Sequence, residues 1–129
     1  MNIINDSVFG EMTYRHTWKK TEIIGGNIKL TIIVKDSDGQ GISDAQRKAY
    51  MKFKESPEAF LAKASEALAK YIAQIYPDIQ TYTMTPQKVL FKQNGVWGFL
   101  YPSPIGEDDG LSVRFENGHA IADMDDALF

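Results

Sequence analysis

The chain contains no cysteine. That excludes a disulfide framework, thiolate catalysis and any zinc or iron–sulfur site held by cysteine. Long apolar runs are missing too: none approaches the roughly 20 residues that a bilayer-spanning helix needs. Residues 1–10 lack a basic stretch leading into an apolar one, so no secretory signal is expected and the cytoplasm is the expected compartment. Histidine is scarce, with only His16 and His119, and the two share no helical spacing. Gly25-Gly26, Gly39 and Gly41 match neither a phosphate-binding loop nor a dinucleotide fingerprint. No cofactor and no metal are expected.

What is present is ordinary for a folded protein. The 129 residues are 43% hydrophobic and 24% charged, enough to build one core, and a single domain over residues 1–129 is expected. The formal net charge of −3 is unevenly spread: residues 102–129 hold seven acids against one base, Arg114. An acidic end disfavours nucleic acid and anionic membranes and favours a basic protein partner. The plain alternative is that these acids solvate a surface.

Three blocks follow one another: strands, helices, strands. Ile28, Leu30, Ile32 and Val34 alternate with Lys29, Thr31, Ile33 and Lys35, the period of a half-buried strand with its even positions inward. Thr21 to Ile24 leads into the hairpin signal Gly25-Gly26-Asn27, and Val8 to Arg15 reads as a further strand with a turn near His16-Thr17. Ser43 with Gln46 three residues later is a capping box, which starts a helix over about 44–55. Ala45, Ala49 and Phe53 share one face of it, while Arg47, Lys48, Lys52 and Lys54 make its wet side basic. Ser56-Pro57 restarts the chain, with Ser56 as cap, into a second helix ending near Tyr76. Its apolar stripe runs through Phe60, Leu61, Ala64, Leu68, Tyr71, Ile72 and Ile75.

In the last block Asn94-Gly95 and Asn117-Gly118 each separate two strand-like runs. That dipeptide is the strongest short-range hairpin signal, because both residues tolerate the positive φ of a two-residue turn. The expected fold is therefore α+β: an antiparallel sheet of about seven strands, ordered as three strands, two helices and four strands, with the helical pair on one face.

Two-residue turns set register, and register sets faces. In the first hairpin Phe91 then opposes Gly98 and Val89 opposes Leu100, leaving Trp97, Phe99 and Tyr101 on the other face with Lys92 beside Trp97. In the second, Phe115 opposes Ala120, Val113 opposes Ala122 and Leu111 opposes Met124, leaving Ser112, Arg114, Glu116, His119, Ile121 and Asp123 outside. Aligning the two hairpins gives a candidate interaction surface of Trp97, Phe99, Tyr101, Arg114 and His119, a composition used at protein interfaces. A sheet covered on both faces is the competing reading, and in it Trp97 and Phe99 are core.

Chemical motifs mostly fail on inspection. Asp36-x-Asp38-x-Gln40-Gly41 opens like a calcium loop, but its twelfth position is Arg47 where a glutamate is required. Glu107-Asp108-Asp109 and Asp125-Asp126 are neighbours that diverge on a strand. Ser112, His119 and Glu116 share a face, yet nothing around Ser112 looks like a nucleophile elbow. The basic side of the first helix reads as a solvated face.

Several fragments carry a likeness: Val8-Phe9-Gly10 with Tyr14 and Trp18; Gly41 to Gln46 with Tyr50 and Phe53; Thr85-Pro86; Asn94-Gly95-x-x-Gly98-Phe99-Leu100; and Asp109 to Val113 with Phe115 and Asn117-Gly118. Together they resemble a family of small uncharacterised bacterial proteins classed as a domain of unknown function. Such families look similar in style to the small acidic immunity partners of contact-dependent toxins. The resemblance implies no catalytic residue. The leading expectation is a non-enzymatic protein-interaction module, immunity-type among its forms, whose partner is a basic protein or a second copy. The alternatives are a small-molecule-binding protein or enzyme with a pocket near Arg114 and His119, and an accessory domain that self-associates.

Overall fold

The structure is a computed structural model that describes residues 2–15, 17–24, 27–36, 41–79, 84–105, 110–125 and 128. Among them the chain forms one sheet whose strands lie in sequence order: β1 (Asn2–Asp6), β2 (Gly10–Arg15), β3 (Thr17–Ile24), β4 (Ile28–Val34), β5 (Lys88–Phe91), β6 (Trp97–Tyr101), β7 (Leu111–Glu116) and β8 (His119–Met124). Helices α1 (Asp44–Glu55) and α2 (Pro57–Ile75) fall between β4 and β5. The expected Gly25-Gly26 turn, His16, most of the Asp36–Gly41 loop, Glu107 to Asp109 and Asp126 lie outside the described residues.

The class is α+β as expected, with two differences. Eight strands are present where about seven are expected. The extra one is β1, an edge strand too short and too polar for its alternation to register. The sheet is also mixed: β4 and β5 pair in parallel, Ile32 beside Val89 and Val34 beside Phe91, while every other neighbouring pair is antiparallel. A crossover through two helices brings the chain back to the end of the sheet where β4 began, and only a parallel strand can follow.

One face of the sheet carries Leu30, Ile32, Val34, Val89, Phe91, Trp97, Phe99, Tyr101, Leu111, Val113 and Phe115, packed against Ala49, Tyr50 and Phe53 of α1 and Ala64, Leu68 and Ile72 of α2. The opposite face has a smaller apolar cluster of Ile33, Leu90, Leu100 and Leu128. Just past β8 the Asp125 amide donates to the Gly110 carbonyl, and the Leu128 amide donates to the Asp125 carbonyl. Ile33, assigned outward by alternation, is buried by this second cluster.

Helix α1 begins as the capping box requires. The Gln46 amide donates to Ser43 Oγ at 3.2 Å, and the Ser43 amide donates to Gln46 Oε1 at 2.8 Å. Gln46 does more than cap. It is 0% exposed, and its Nε2 donates to the carbonyls of Lys35 (2.7 Å) and Phe91 (3.0 Å), at the ends of β4 and β5. Ser43 Oγ in turn donates to the Gln93 carbonyl at 2.8 Å. The cap is thus the joint between α1 and the parallel strand pair. Ser56, expected to cap α2, makes no side-chain cap bond; its carbonyl accepts from the amides of Ala59 and Phe60.

The same dipeptide makes two different turns. Asn117 (φ 51°) and Gly118 (φ 80°) form the expected two-residue turn, and β7 and β8 pair in the expected register. At the first hairpin only Gly95 has positive φ (94°). The Gly95 amide donates to the Lys92 carbonyl and the Lys92 amide to the Val96 carbonyl, so Gln93, Asn94 and Gly95 form a three-residue connection. Register moves by one: Phe91 opposes Trp97, Leu90 opposes Gly98 and Val89 opposes Phe99. Every β6 side chain changes face. Burying three rings is worth roughly 1.5–3 kcal/mol each, more than the ~1 kcal/mol scale of local strand preference.

Two outcomes follow from this joint and this register. Gln46→Leu, close in size but unable to donate, should lower unfolding free energy by about 2–4 kcal/mol, read by urea denaturation. Gly98→Ala should be at least as damaging, since a Cβ there meets the Val113 carbonyl oxygen at 2.3 Å; loss of a cooperative thermal transition is the expected readout.

Candidate interaction cleft

The register change decides where the expected surface residues go. Trp97, Phe99 and Tyr101 are 4%, 0% and 4% exposed and sit under the helices. Trp97 stacks on Phe115 (4.5 Å between centroids) and Phe91 (5.7 Å), opposite Phe91 rather than beside Lys92. Phe99 meets Phe53 edge-on at 5.9 Å. Arg114 lies on the other face of the sheet, where its Nε is 3.2 Å from Glu116 and its Nη1 is 3.5 Å from Asp123. His119 is exposed at the β7–β8 tip, opposite Glu116. The five residues therefore do not form one surface: a flipped β6 puts the rings and the two polar groups on opposite sides of the sheet. His119 borders an open groove of about 480 Å³ between α2 and β8, and Arg114 does not.

Ser112 is fully buried and donates to the Met124 carbonyl at 2.9 Å, a structural commitment rather than a nucleophile's setting. Among the described residues no group of three or more His, Asp and Glu side chains is placed to hold a metal ion. No described helix is long and apolar enough to cross a membrane. The described acids of the C-terminal quarter are used internally: Glu116 and Asp123 face Arg114, and Asp125 accepts from the Gly110 amide at 2.9 Å.

A second concave surface lies where the start of α2 and the wet flank of α1 meet two hairpin tips. It is an open cleft of about 560 Å³ lined by Lys48 and Lys52 of α1, Phe60 and Lys63 of α2, Asn94 to Val96 at one tip and Glu116 to Gly118 at the other, with Trp97 and Phe115 in its floor. Local sequence explains each wall. Gly95 packs against Ala45, where a Cβ would come within 3.2 Å of the alanine Cβ, so the tip closes onto α1. The bond from Ser43 to the Gln93 carbonyl holds the same tip. Pro57 starts α2 just after α1 ends, which puts Phe60 edge-on to both Trp97 (5.0 Å) and Phe115 (5.1 Å). Lys63 Nζ lies 5.8 Å from the Phe60 ring centre. Lys48 and Lys52, one helical turn apart, have no ion-pair partner among the described residues. A basic rim over an aromatic floor suits an anionic group carrying an apolar portion. The basic flank of α1 was legible in the sequence; its cleft was not, because the facing hairpin tips come from residues about 40 to 70 positions later.

The remaining polar side chains under the helices brace α1 against the first strands. Asp6, with its side chain 3% exposed, accepts from the Val8 and Phe9 amides and from Arg47 Nη2 at 2.6 Å. Burial pushes its carboxyl up, but the bonds from Arg47, Phe9 and Val8 outweigh that and hold it below its ordinary value of 3.8. Glu22 Oε1 accepts from the Tyr50 hydroxyl (2.7 Å) and Lys54 (3.1 Å), with Lys20 at 3.2 Å. Burial raises the Glu22 carboxyl, and Tyr50, Lys54 and Lys20 more than offset it, leaving it below 4.5. Burial and the adjacent Glu22 carboxylate push the Tyr50 hydroxyl far up, so it remains a donor at any physiological pH.

One family model matches residues 8–105, a domain of unknown function (DUF6985), and the chain belongs to that family. The match takes in α1, α2 and the strands β2 to β6, and stops short of β7 and β8. No curated protein and no solved structure matches the chain.

Both depressed carboxylates contribute stability that is complete above the unfolded-state values and is lost as pH falls through the lower folded ones. Unfolding free energy should therefore drop below about pH 4.5. Asp6→Asn and Glu22→Gln should each be less stable at pH 7 and show a shallower acid loss, measured by urea denaturation from neutral pH downwards.

Proposed function

We propose that this member of the DUF6985 family is a protein-binding module that receives an acidic segment of its partner in the cleft between α1, α2 and the two hairpin tips. The observation that carries the reading is the lysine rim: Lys48, Lys52 and Lys63 surround a floor of Phe60, Trp97 and Phe115. Acidic side chains of the partner meet the ammonium groups, and an apolar neighbour packs on Phe60. Composition alone favours a basic partner, but Glu116, Asp123 and Asp125 already have partners inside the chain, whereas Lys48 and Lys52 have none among the described residues. The balance of unpaired charge at the concave surface thus favours an acidic partner. An immunity-type role is the form of this proposal in which the acidic segment belongs to a toxin. A cytoplasmic setting, in keeping with a chain free of cysteine, is part of the proposal.

A photo-cross-linking residue at position 52, expressed in the native host, tests it. Adducts mapped by mass spectrometry should fall on acidic peptide segments. Lys48→Glu with Lys63→Glu should weaken capture at least tenfold, about 1.4 kcal/mol, and so should about 1 M salt, where the Debye length is ~3 Å. Adducts indifferent to charge reversal, or identical to those from position 21 on the helix-free face, would remove the reading.

A further inference from the structure

Among the described residues the sheet ends at β8, and the pairing of β8 with β7 shows which backbone groups of β8 that partner leaves unused. Across an antiparallel pair the directly opposed residues alternate between exchanging both backbone bonds and exchanging none. The two-residue turn makes Glu116 and His119 a bonded pair, and the series continues through Arg114–Ile121 and Ser112–Asp123. It reaches Gly110–Asp125, where the Asp125 amide donates to the Gly110 carbonyl at 3.1 Å. The backbone groups of His119, Ile121 and Asp123 are therefore turned towards β7, and those of Ala120 and Ala122 point away from the sheet. The residues after β8 do not shield this edge where they are described: Leu128 packs under β4, β5 and β6 instead.

The exposed edge matches itself. Placed antiparallel to a second β8 about a two-fold axis at Ile121, Ala120 meets Ala122 of the other copy twice, and all their outward amides and carbonyls are in phase for four backbone bonds. Ile121 then meets Ile121. His119, an exposed side chain that always offers at least one N–H donor, meets Asp123, whose half-exposed carboxylate also faces Arg114 and the Met124 amide and has lone pairs left for a further donor. A shift of two residues either way loses the His119–Asp123 match at both ends. On the helix side the small side chains of Ala120 and Ala122 leave room beside α2. Its neighbouring Lys63, Glu66 and Lys70 carry both signs, as do Arg114 and Glu116 on β7, so no single-sign field opposes approach.

We propose that two copies of this chain join β8 to β8 about this axis, extending the sheet through a closed two-fold contact centred on Ile121. The contact does not involve the lysine cleft and stands or falls apart from it. It is small, so association is weak and concentration-dependent.

Because the chain has no cysteine, Ile121→Cys introduces a single thiol. In the proposed register the two thiols come from a non-bonded pair with Cα atoms about 4.5 Å apart, within disulfide range. Mild oxidation of Ile121→Cys should give a covalent dimer in at least tenfold excess over Ile23→Cys, which is exposed on the same face four strands or more from this edge. Sedimentation equilibrium of the unaltered chain from about 10 µM to about 1 mM should show dimer rising with concentration. Ile121→Lys should abolish it while circular dichroism remains unchanged. A strict monomer throughout, equal cross-linking of both cysteine variants, or mass growing past the dimer through a β8-to-β1 contact that does not close would each overturn the proposal.

Discussion

Gln46 uses one amide group to hold three parts of the chain. Its oxygen completes the cap of α1, and its nitrogen donates to the Lys35 carbonyl just past β4 and to the last carbonyl of β5, two strands that are adjacent in the sheet but separated in sequence by both helices. Parallel pairing at β4–β5 is the one long-range step in an otherwise sequential sheet, and its loop-closure cost must be met before its contacts exist. A buried amide with every hydrogen-bonding need met rigidifies such a junction, and one left unmet costs more than an apolar residue. Ser43 extends the same joint to the first hairpin through the Gln93 carbonyl. The position of α1, the closure of that hairpin onto it and hence the cleft between them all depend on this small polar centre.

Around that joint the aromatic core behaves as one unit. Phe9, Tyr50, Phe53, Phe60, Phe91, Trp97, Phe99 and Phe115 form a continuous set of ring contacts from the β1–β2 turn to α2. Two carboxylates at its margin are paired: Asp6 with Arg47, and Glu22 with Tyr50 and two lysines. These pairs fasten α1 to β1 and β3 while Gln46 fastens it to β4 and β5. Lys20 and Lys54 are thereby committed to Glu22, which distinguishes them from Lys48 and Lys52 on the flank of α1 that faces the cleft.

The two surfaces proposed for binding follow from different physics. The cleft is a product of side-chain charge: lysines with no acid to meet, over rings already packed into the floor. The β8 edge is a product of backbone geometry, since a strand at the end of a sheet presents amides and carbonyls with nothing to pair with. They lie on different parts of the chain, and the family match includes most of the first and none of the second.

Much of the architecture could be read from local signals. The capping box at Ser43, the restart at Pro57, the α2 stripe as far as Ile72 (Ile75 is exposed), the inward even positions of β4 and the Asn117-Gly118 turn with its register all rest on interactions within a few residues, and the structure has them. What failed depended on distant residues. Asn94-Gly95 is chemically identical to Asn117-Gly118, yet α1 sits above the first tip, and three large rings on β6 gain far more by facing the helices than the turn gains by being two residues long. The same holds for Ile33, buried by a leucine almost a hundred positions away, and for the lysine rim, which becomes a cleft only when two hairpin tips close over it. Local hydrogen bonding and periodicity are encoded position by position, so sequence alone determined both helices and every strand but β1. Which face each strand presents, and what the exposed charges look onto, is settled by burial summed over the whole chain, and that only the tertiary structure decided.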